Sequence, residues 1–450
     1  MMPLTIVRLR YKKILIAFFY LILALSYTQA QTIALSNAFT TDNQAKNLNY
    51  PSLVAKFYEL RQNKMIWFLP LESAQQLRQV LKDKIDSSIH IGLNKEEFHP
   101  WEIDKNVDKN FLEEDSIIAL DADKFFTDAA ISYCKNIYQG LGASQWMMYD
   151  EISPKQDAPD NDFLLQQLAN VSTSADLDSF LNSLEPPGEE YTKLRSQLLL
   201  KSDSLNTFQK KQLRTSLAFC RWLHHFKFEK WIVVNIASAT LRYYEYDSLK
   251  LSMKVVVGKA SAKTPRFAAH LNEVILYPYW NVPTSIALNE LLPLFKRNPS
   301  NVDDLNMQII DANGNVINHH KLKWKNYSKN YFPFRVRQST GCDNSLGVIK
   351  FNLTSPYRVY LHDTNYKGAF MLSGRYLSHG CIRLEKPVEL ANYLLSEHVN
   401  KEYLESCLKD QRPVTLEVAS RVPVFVIYQL VEADPKNKVR YFKDVYSLRK

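Results

Sequence analysis

The sequence predicts an α+β protein, with a helical N-terminal half followed by a mainly β C-terminal half. Two observations carry that prediction. Between residues 50 and 226 apolar side chains recur every three to four positions, the period of a helix with one buried face. From Trp231 onward the period drops to two and β-branched residues crowd in, as in Trp231-Ile232-Val233-Val234-Asn235-Ile236. A chain of 450 residues has room for two to three domains. Its 46% hydrophobic content, with charges of mixed sign, marks it as globular rather than disordered.

The first 30 residues form a leader. Arg8, Arg10, Lys12 and Lys13 precede an apolar run over residues 14–25, and Thr28 and Ala30 occupy the −3 and −1 positions of a cleavage site. The run is short for a membrane span, which needs about 20 apolar residues. Contact with a membrane is therefore expected only through an uncleaved leader. The chain is expected to be exported, to the periplasm or cell envelope. The net charge of +9 includes four basic residues of the leader, and the remaining excess is dispersed. No basic block interleaved with aromatics points to nucleic acid.

The helical half follows in order. Leu53, Val54, Phe57 and Leu60 share a helix face, and Trp67 follows a turn. Further helices are predicted over 73–84 and 121–138, with a turn at Ile91-Gly92-Leu93 between them and Gly140 as terminator. Phe57 and Trp67 read as core. Residues 151–160, rich in Pro, Asp and Lys, read as a linker. Helices over 162–169, 175–184, 189–202 and 207–226 read as a connector. The predicted divisions are thus 1–30, 31–160, 161–228 and 229–450.

Strands are predicted over 231–236, 241–246, 251–257, 274–276, 414–418 and 424–428, with a last segment at 439–446 and a helix at 387–395. Between them, residues 284–336 form an insertion with a helix at 288–295, a polar stretch and the aromatic group Trp324, Tyr327, Tyr331, Phe332 and Phe334. Such a segment reads as a lid over a cleft, the alternative being a satellite subdomain with its own small core.

The chemistry concentrates in Val359-Tyr360-Leu361-His362-Asp363-Thr364 and Ser378-His379-Gly380-Cys381-Ile382-Arg383. A thiol is mostly protonated at neutral pH, and an imidazole within reach can take its proton. His362 closes an apolar, strand-like run, and Gly380 lets backbone N–H groups approach an oxyanion. The residue types alone leave two other readings open, a packed thiol beside surface histidines or zinc held by Cys381, His362 and His379. The five cysteines are an odd number, so at least one is unpaired. Their wide spacing argues against a disulfide framework, and Cys342 is expected near the cleft.

The two strings together, a His, a loop and then Ser-His-Gly-Cys-Ile-Arg, resemble the catalytic motif of the L,D-transpeptidases, the YkuD-type domain. Pro278-Tyr279-Trp280-Asn281-Val282-Pro283 resembles the same family's Trp-Asn-Val-Pro segment. Gly341, Asn344 and Gly347 resemble its run before the catalytic His, although Thr340 replaces the usual Pro. Phe57-Tyr58, Arg61, Trp67 and Gly92-Leu93 resemble the helical scaffold of the larger, YcbB-type members. The interval before Trp231 looks too short for the peptidoglycan-binding module those relatives usually carry.

The resemblance implies a sandwich-like catalytic domain with no cofactor and no metal. It implies acylation of Cys381 by peptidoglycan stem tetrapeptides and transfer of the acyl group to an amine. Water as acceptor would make the protein an L,D-carboxypeptidase, and a non-catalytic wall-binding scaffold is a further alternative. Carbapenem-type β-lactams are the implied inhibitors. On this reading His362 transfers protons, His379 orients, Gly380 supplies an oxyanion N–H and Ser378 supports a histidine. Arg383, Tyr360, Trp280 and Asn344 are the expected substrate-binding residues. Arg383 is read either as a partner for a substrate carboxylate or as an ion pair with Glu385, and Trp280 either as core or as a substrate wall.

Overall fold

In the computed structural model, residues 47–111, 116–140, 148–149, 161–224, 228–246, 248–434, 436 and 438–448 are described. The predicted leader and the predicted linker at 151–160 lie outside them. Contacts divide the chain into two units, one built mainly from residues up to 225 and one from 226 to the C-terminus.

The first unit is helical, as the spacing predicts. Its main helices are Pro51–Leu60, Glu72–Ser87, Pro100–Asn106, Ser116–Gln139, Asn161–Ala169, Ser174–Ser183 and Thr207–His224. Phe57 and Trp67 are fully buried in its core. Beneath them lies Asp123, a residue the sequence pattern does not single out. It accepts hydrogen bonds from Trp67 N (2.8 Å), Phe68 N (3.1 Å) and the Tyr58 hydroxyl. Burial raises its carboxyl to about 6, against the pull of those donors. Leu164, Leu168, Leu177 and Leu181 pack into the same core as Val54 and Phe57. The division expected at residue 160 therefore does not separate two cores. The first two connector helices, Asn161–Ala169 and Ser174–Ser183, share the N-terminal one because their apolar faces have that surface to bury. Among the described residues, no helix is long and apolar enough to cross a membrane.

The second unit is a curled sheet. Its strands are β1 (Met148–Tyr149), β2 (Lys230–Asn235), β3 (Thr240–Glu245), β4 (Ser248–Gly258), β5 (Phe267–Leu276), β6 (Trp280–Asn281), β7 (Met307–Ile310), β8 (Val316–Ile317), β9 (Arg335–Gln338), β10 (Ile349–Leu353), β11 (Leu361–His362), β12 (Tyr376–Ser378), β13 (Ile382–Leu384), β14 (Val414–Ile427), β15 (Val431–Ala433) and β16 (Val439–Tyr441). The path β5-β10-β11-β13-β4-β3-β2-β14 returns to its start, because β14 pairs with β2 on one side and β5 on the other. The two strands expected over 414–428 are this one strand, with a register shift between Glu417 and Val422 that lets it turn the corner. The sandwich-like domain is thus one sheet curled on itself. Ile232, Val234, Val255, Val257, Val274, Phe351, Leu361, Ile382 and Leu384 fill its interior.

The insertion is not a bare loop. It folds as a four-stranded sheet, β6-β9-β7-β8, with short helices and a core of Leu291, Phe295, Val302, Ile309, Trp324 and Val336. Met307-Gln308-Ile309-Ile310 supplies a strand inside the stretch read as polar. Of the aromatic group, Trp324 is buried, Tyr327, Phe332 and Phe334 pack on it, and Tyr331 is exposed. The insertion thus has a small core of its own, as the satellite-subdomain alternative expects, and most of the aromatic group packs on it.

Cys342 and Cys407 are joined in a disulfide, contrary to the expectation from spacing. Sequence distance was a poor guide, since the fold brings two residues separated by 65 positions to a Cα separation of 5.0 Å. Cys134, Cys220 and Cys381 are outside any disulfide.

Gly140, which ends the long helix Ser116–Gln139, has φ +55°, and a Cβ there would lie 2.1 Å from Ala218 O and 2.6 Å from Trp222 N. Gly140→Ala should destabilise the helical unit by about 3 kcal/mol, combining left-handed strain with a backbone clash. Thermal denaturation followed by circular dichroism checks this, and an unchanged Tm would contradict it.

Candidate active site

Strand pairing assembles the site. β11 runs parallel to β13 with Leu361 opposite Ile382 and His362 opposite Arg383. Alternate residues of a strand face opposite sides, so Leu361 and Ile382 enter the core while Tyr360, His362, Cys381 and Arg383 share the other face. β10 adds Lys350, opposite His362, to that face. Cys381 and His362 are therefore diagonal neighbours across adjacent strands.

The sulfur sits among donors and cations. Both the backbone N–H and the hydroxyl of Tyr360 hydrogen-bond Cys381 and favour its thiolate, as do the charges of Lys350 and Arg383. Burial is the larger effect and pushes the thiol up. The Cys381 Sγ is also 4.0 Å from Arg358 O. Trp280 hydrogen-bonds the Tyr360 side chain. An indole N–H can only donate, so the Tyr360 oxygen accepts from Trp280 and spends its own proton on the sulfur. Trp280 also packs against the core of the insertion. The two readings of Trp280 thus combine, because it is a packing residue that orients Tyr360. Lys350 Nζ lies 4.4 Å from the centre of the Tyr360 ring and has its pKa lowered by burial.

His362 is buried, and its Nδ1 lies 2.5 Å from Asp363 O. A carbonyl only accepts, so Nδ1 carries the proton and Nε2 is the basic atom. Burial first, then the Arg383 charge, hold the imidazole down to about 3. It is neutral throughout the neutral range. Arg383 does not pair with Glu385, which accepts from Lys254 N at 2.9 Å. Arg383 Nε is buried without a hydrogen-bond partner, and burial lowers its pKa.

Other expected roles change. Asn344 is fully buried, its Nδ2 donating to Pro278 O (3.1 Å) and Ser339 O (2.7 Å) and its Oδ1 accepting from Leu346 N (2.7 Å). It shapes the loop and has nothing left to offer a substrate. Ser378 does not hold a histidine, since its hydroxyl donates to Cys381 O (2.6 Å) and accepts from Gly380 N (3.1 Å). The Gly380 N–H is thereby engaged within its own turn rather than presented to an oxyanion. Gly380 has φ +121°, a region that favours glycine. His379 is exposed, with Nε2 3.2 Å from Glu290 Oε1 of the insertion and 3.3 Å from Lys259 Nζ. It faces the insertion instead of orienting the thiol or His362.

Zinc held by Cys381, His362 and His379 does not fit this arrangement. Among the described residues their donor atoms do not gather, and Asp363 turns to Val348 N (3.0 Å) and Lys367. Two supports were invisible in the sequence. Thr264 accepts from Gly258 N (2.9 Å) and donates to Gly380 O (2.8 Å). The Tyr446 hydroxyl in turn accepts from Thr264 N at 3.2 Å, across 182 positions. No local pattern marks either residue.

Residues 229–424 match the L,D-transpeptidase catalytic domain, YkuD. The C-terminal domain belongs to that family. Residues 52–198 match the Scaffold domain, so the chain joins the two domains as the YcbB-type members do. A Haemophilus influenzae protein that carries the provisional name L,D-transpeptidase is 33% identical over 308 residues, covering 68% of this chain and 61% of that protein. Among solved structures, an L,D-transpeptidase, LdtMt1, in complex with imipenem is 14% identical and covers 44% of this chain and 59% of its own, with a TM-score of 0.21. An L,D-transpeptidase from Mycobacterium smegmatis is 13% identical and covers 44% of this chain and 58% of its own, with a TM-score of 0.19. Neither superposition is close enough to carry an argument.

Tyr360→Phe removes a donor to the sulfur while keeping the ring under Lys350. A hydrogen bond to a charged group contributes about 1.5 kcal/mol, so alkylation of Cys381 at neutral pH should slow by roughly tenfold. Iodoacetamide kinetics with site identification by mass spectrometry measure this, and an unchanged rate would remove Tyr360 from the thiol's environment.

His362 has an ordinary pKa of 6.5 and about 3 when folded. Between those values the unfolded chain binds the extra proton, so the stability that His362 contributes is present above 6.5 and is lost as pH falls toward 3. The share lost by pH 4 should be roughly 3 kcal/mol, and His362→Asn should lack it. Denaturant titrations of both proteins from pH 7 to 4 test this, equal slopes being the adverse result.

Proposed function

We propose that this chain is an exported cysteine L,D-transpeptidase that acylates itself on peptidoglycan stem tetrapeptides and passes the acyl group to an amine. The observation that carries this reading is the Cys381 sulfur, set between two Tyr360 donors and two cations, one diagonal step from a neutral His362. Membership of the C-terminal domain in the YkuD family supports it.

The steps follow from the groups present. His362 Nε2 takes the thiol proton, and the sulfur attacks the carbonyl carbon of the third stem residue. A C–S bond forms and an oxyanion develops. Ser378 occupies the Gly380 N–H, so the Cys381 N–H is the backbone donor left to meet that charge. Collapse breaks the peptide bond, and the imidazolium returns its proton to the departing amine of the terminal D-residue. An acceptor amine then attacks the thioester, His362 takes its proton, and the thiol is regenerated. Arg383 and Lys350 give the departing residue's carboxylate two positive partners.

The leader supports export, and the Cys342–Cys407 disulfide suits an oxidising compartment. The same thiol would take a carbapenem, whose β-lactam carbonyl is open to the attack that the stem peptide would receive.

Incubation of the purified protein with a defined disaccharide tetrapeptide and an amine acceptor, read by mass spectrometry, tests the proposal. Loss of the terminal residue, transfer to the amine and a carbapenem adduct on Cys381 are expected, and all three should vanish in Cys381→Ala. Turnover surviving in that variant would refute the covalent route. Hydrolysis without transfer would make the protein a carboxypeptidase.

A further inference from the structure

We propose that the insertion carries a binding site for one divalent cation of the zinc class, built from Asp303, His319 and His320. The site is separate from the thiol chemistry and does not depend on it. His319 Nε2 lies 3.1 Å and His320 Nε2 3.3 Å from the same atom, Asp303 Oδ2, and all three ligand atoms fall within 4.8 Å of one another. A tetrahedral ion with bonds of about 2.05 Å separates its ligand atoms by about 3.3 Å. Both edges that meet at Asp303 Oδ2 match that spacing.

The backbone makes the convergence notable. The two histidines open the 3₁₀ turn His319–Lys321. With three residues per turn, neighbouring side chains should diverge by about 120°. Here the two rings lie 4.0 Å apart and point to one carboxylate oxygen. The turn is fixed in place, since Asn318 Oδ1 accepts from His320 N (3.0 Å) and the Trp324 indole donates to His319 O (3.2 Å). Asp303 comes from the short helix Asn301–Asp304, whose Val302 is in the same core as Trp324. An ion would therefore tie two segments over the core of the insertion.

The donor set selects the metal. Two imidazoles and one carboxylate suit zinc, with nickel and copper as competitors, whereas calcium and magnesium favour oxygen ligands. Three protein ligands leave a fourth position for water or an outside donor. The competing arrangement is two imidazole–carboxylate hydrogen bonds with no metal affinity.

The experiment uses the chain purified without a polyhistidine tag, stripped with a chelator and dialysed against zinc. Elemental analysis should find about one equivalent per chain, and zinc but not magnesium should raise Tm. His320→Gln and Asp303→Asn should each weaken zinc binding at least about tenfold. His320→Gln should leave the metal-free Tm unchanged, because that side chain is mostly exposed. Cys381→Ala should bind zinc as the unaltered chain does. Failure to hold a stoichiometric ion, wild-type affinity in both ligand variants, or loss of binding in Cys381→Ala would each overturn the proposal.

Discussion

The site depends on one register. Leu361 pairs with Ile382 across parallel strands, and the period of two then decides every other placement. Slipping either strand by one residue would put His362 or Cys381 into the interior and expose Leu361 or Ile382. Because those two leucine and isoleucine side chains are fully buried, the core itself enforces the register of the face that carries His362 and Cys381. Packing on one side of the sheet thus holds that pair in place on the other.

On that face the electrostatics oppose one another. Burial raises the Cys381 thiol and lowers the His362 imidazole, so both rest in their neutral forms. Lys350, Arg383 and the two Tyr360 donors act the other way on the sulfur. Two cations with few partners face a thiol that is neutral at rest, an arrangement suited to receiving an anionic group. The Arg383 Nε without a partner belongs to the same imbalance.

The supports of this face come from far along the chain. Thr264 and Tyr446 brace the Gly380 turn, while Trp280 orients Tyr360 from the edge of the insertion. Glu290, from the same insertion, meets His379. The insertion therefore touches the motif through polar contacts while Phe295, Trp324, Tyr327, Phe332 and Phe334 pack in or on its own core.

Much was legible in the sequence by itself. Helical and alternating periods located the two halves, and the spaced identities around His362 and Cys381 singled out two residues that the strand pairing makes diagonal neighbours, because hydrophobic period and motif spacing are local properties of the chain. What needed the tertiary structure was partnership across distance. Asn344 and Gly380 carried motif identities, yet one is consumed in its loop and the other by Ser378. Cys342 found Cys407, β14 closed the sheet, and Asp303 met His319 and His320, pairings that no local pattern encodes. Residue type states which bonds a side chain can make. Only the folded chain decides which partner reaches it first.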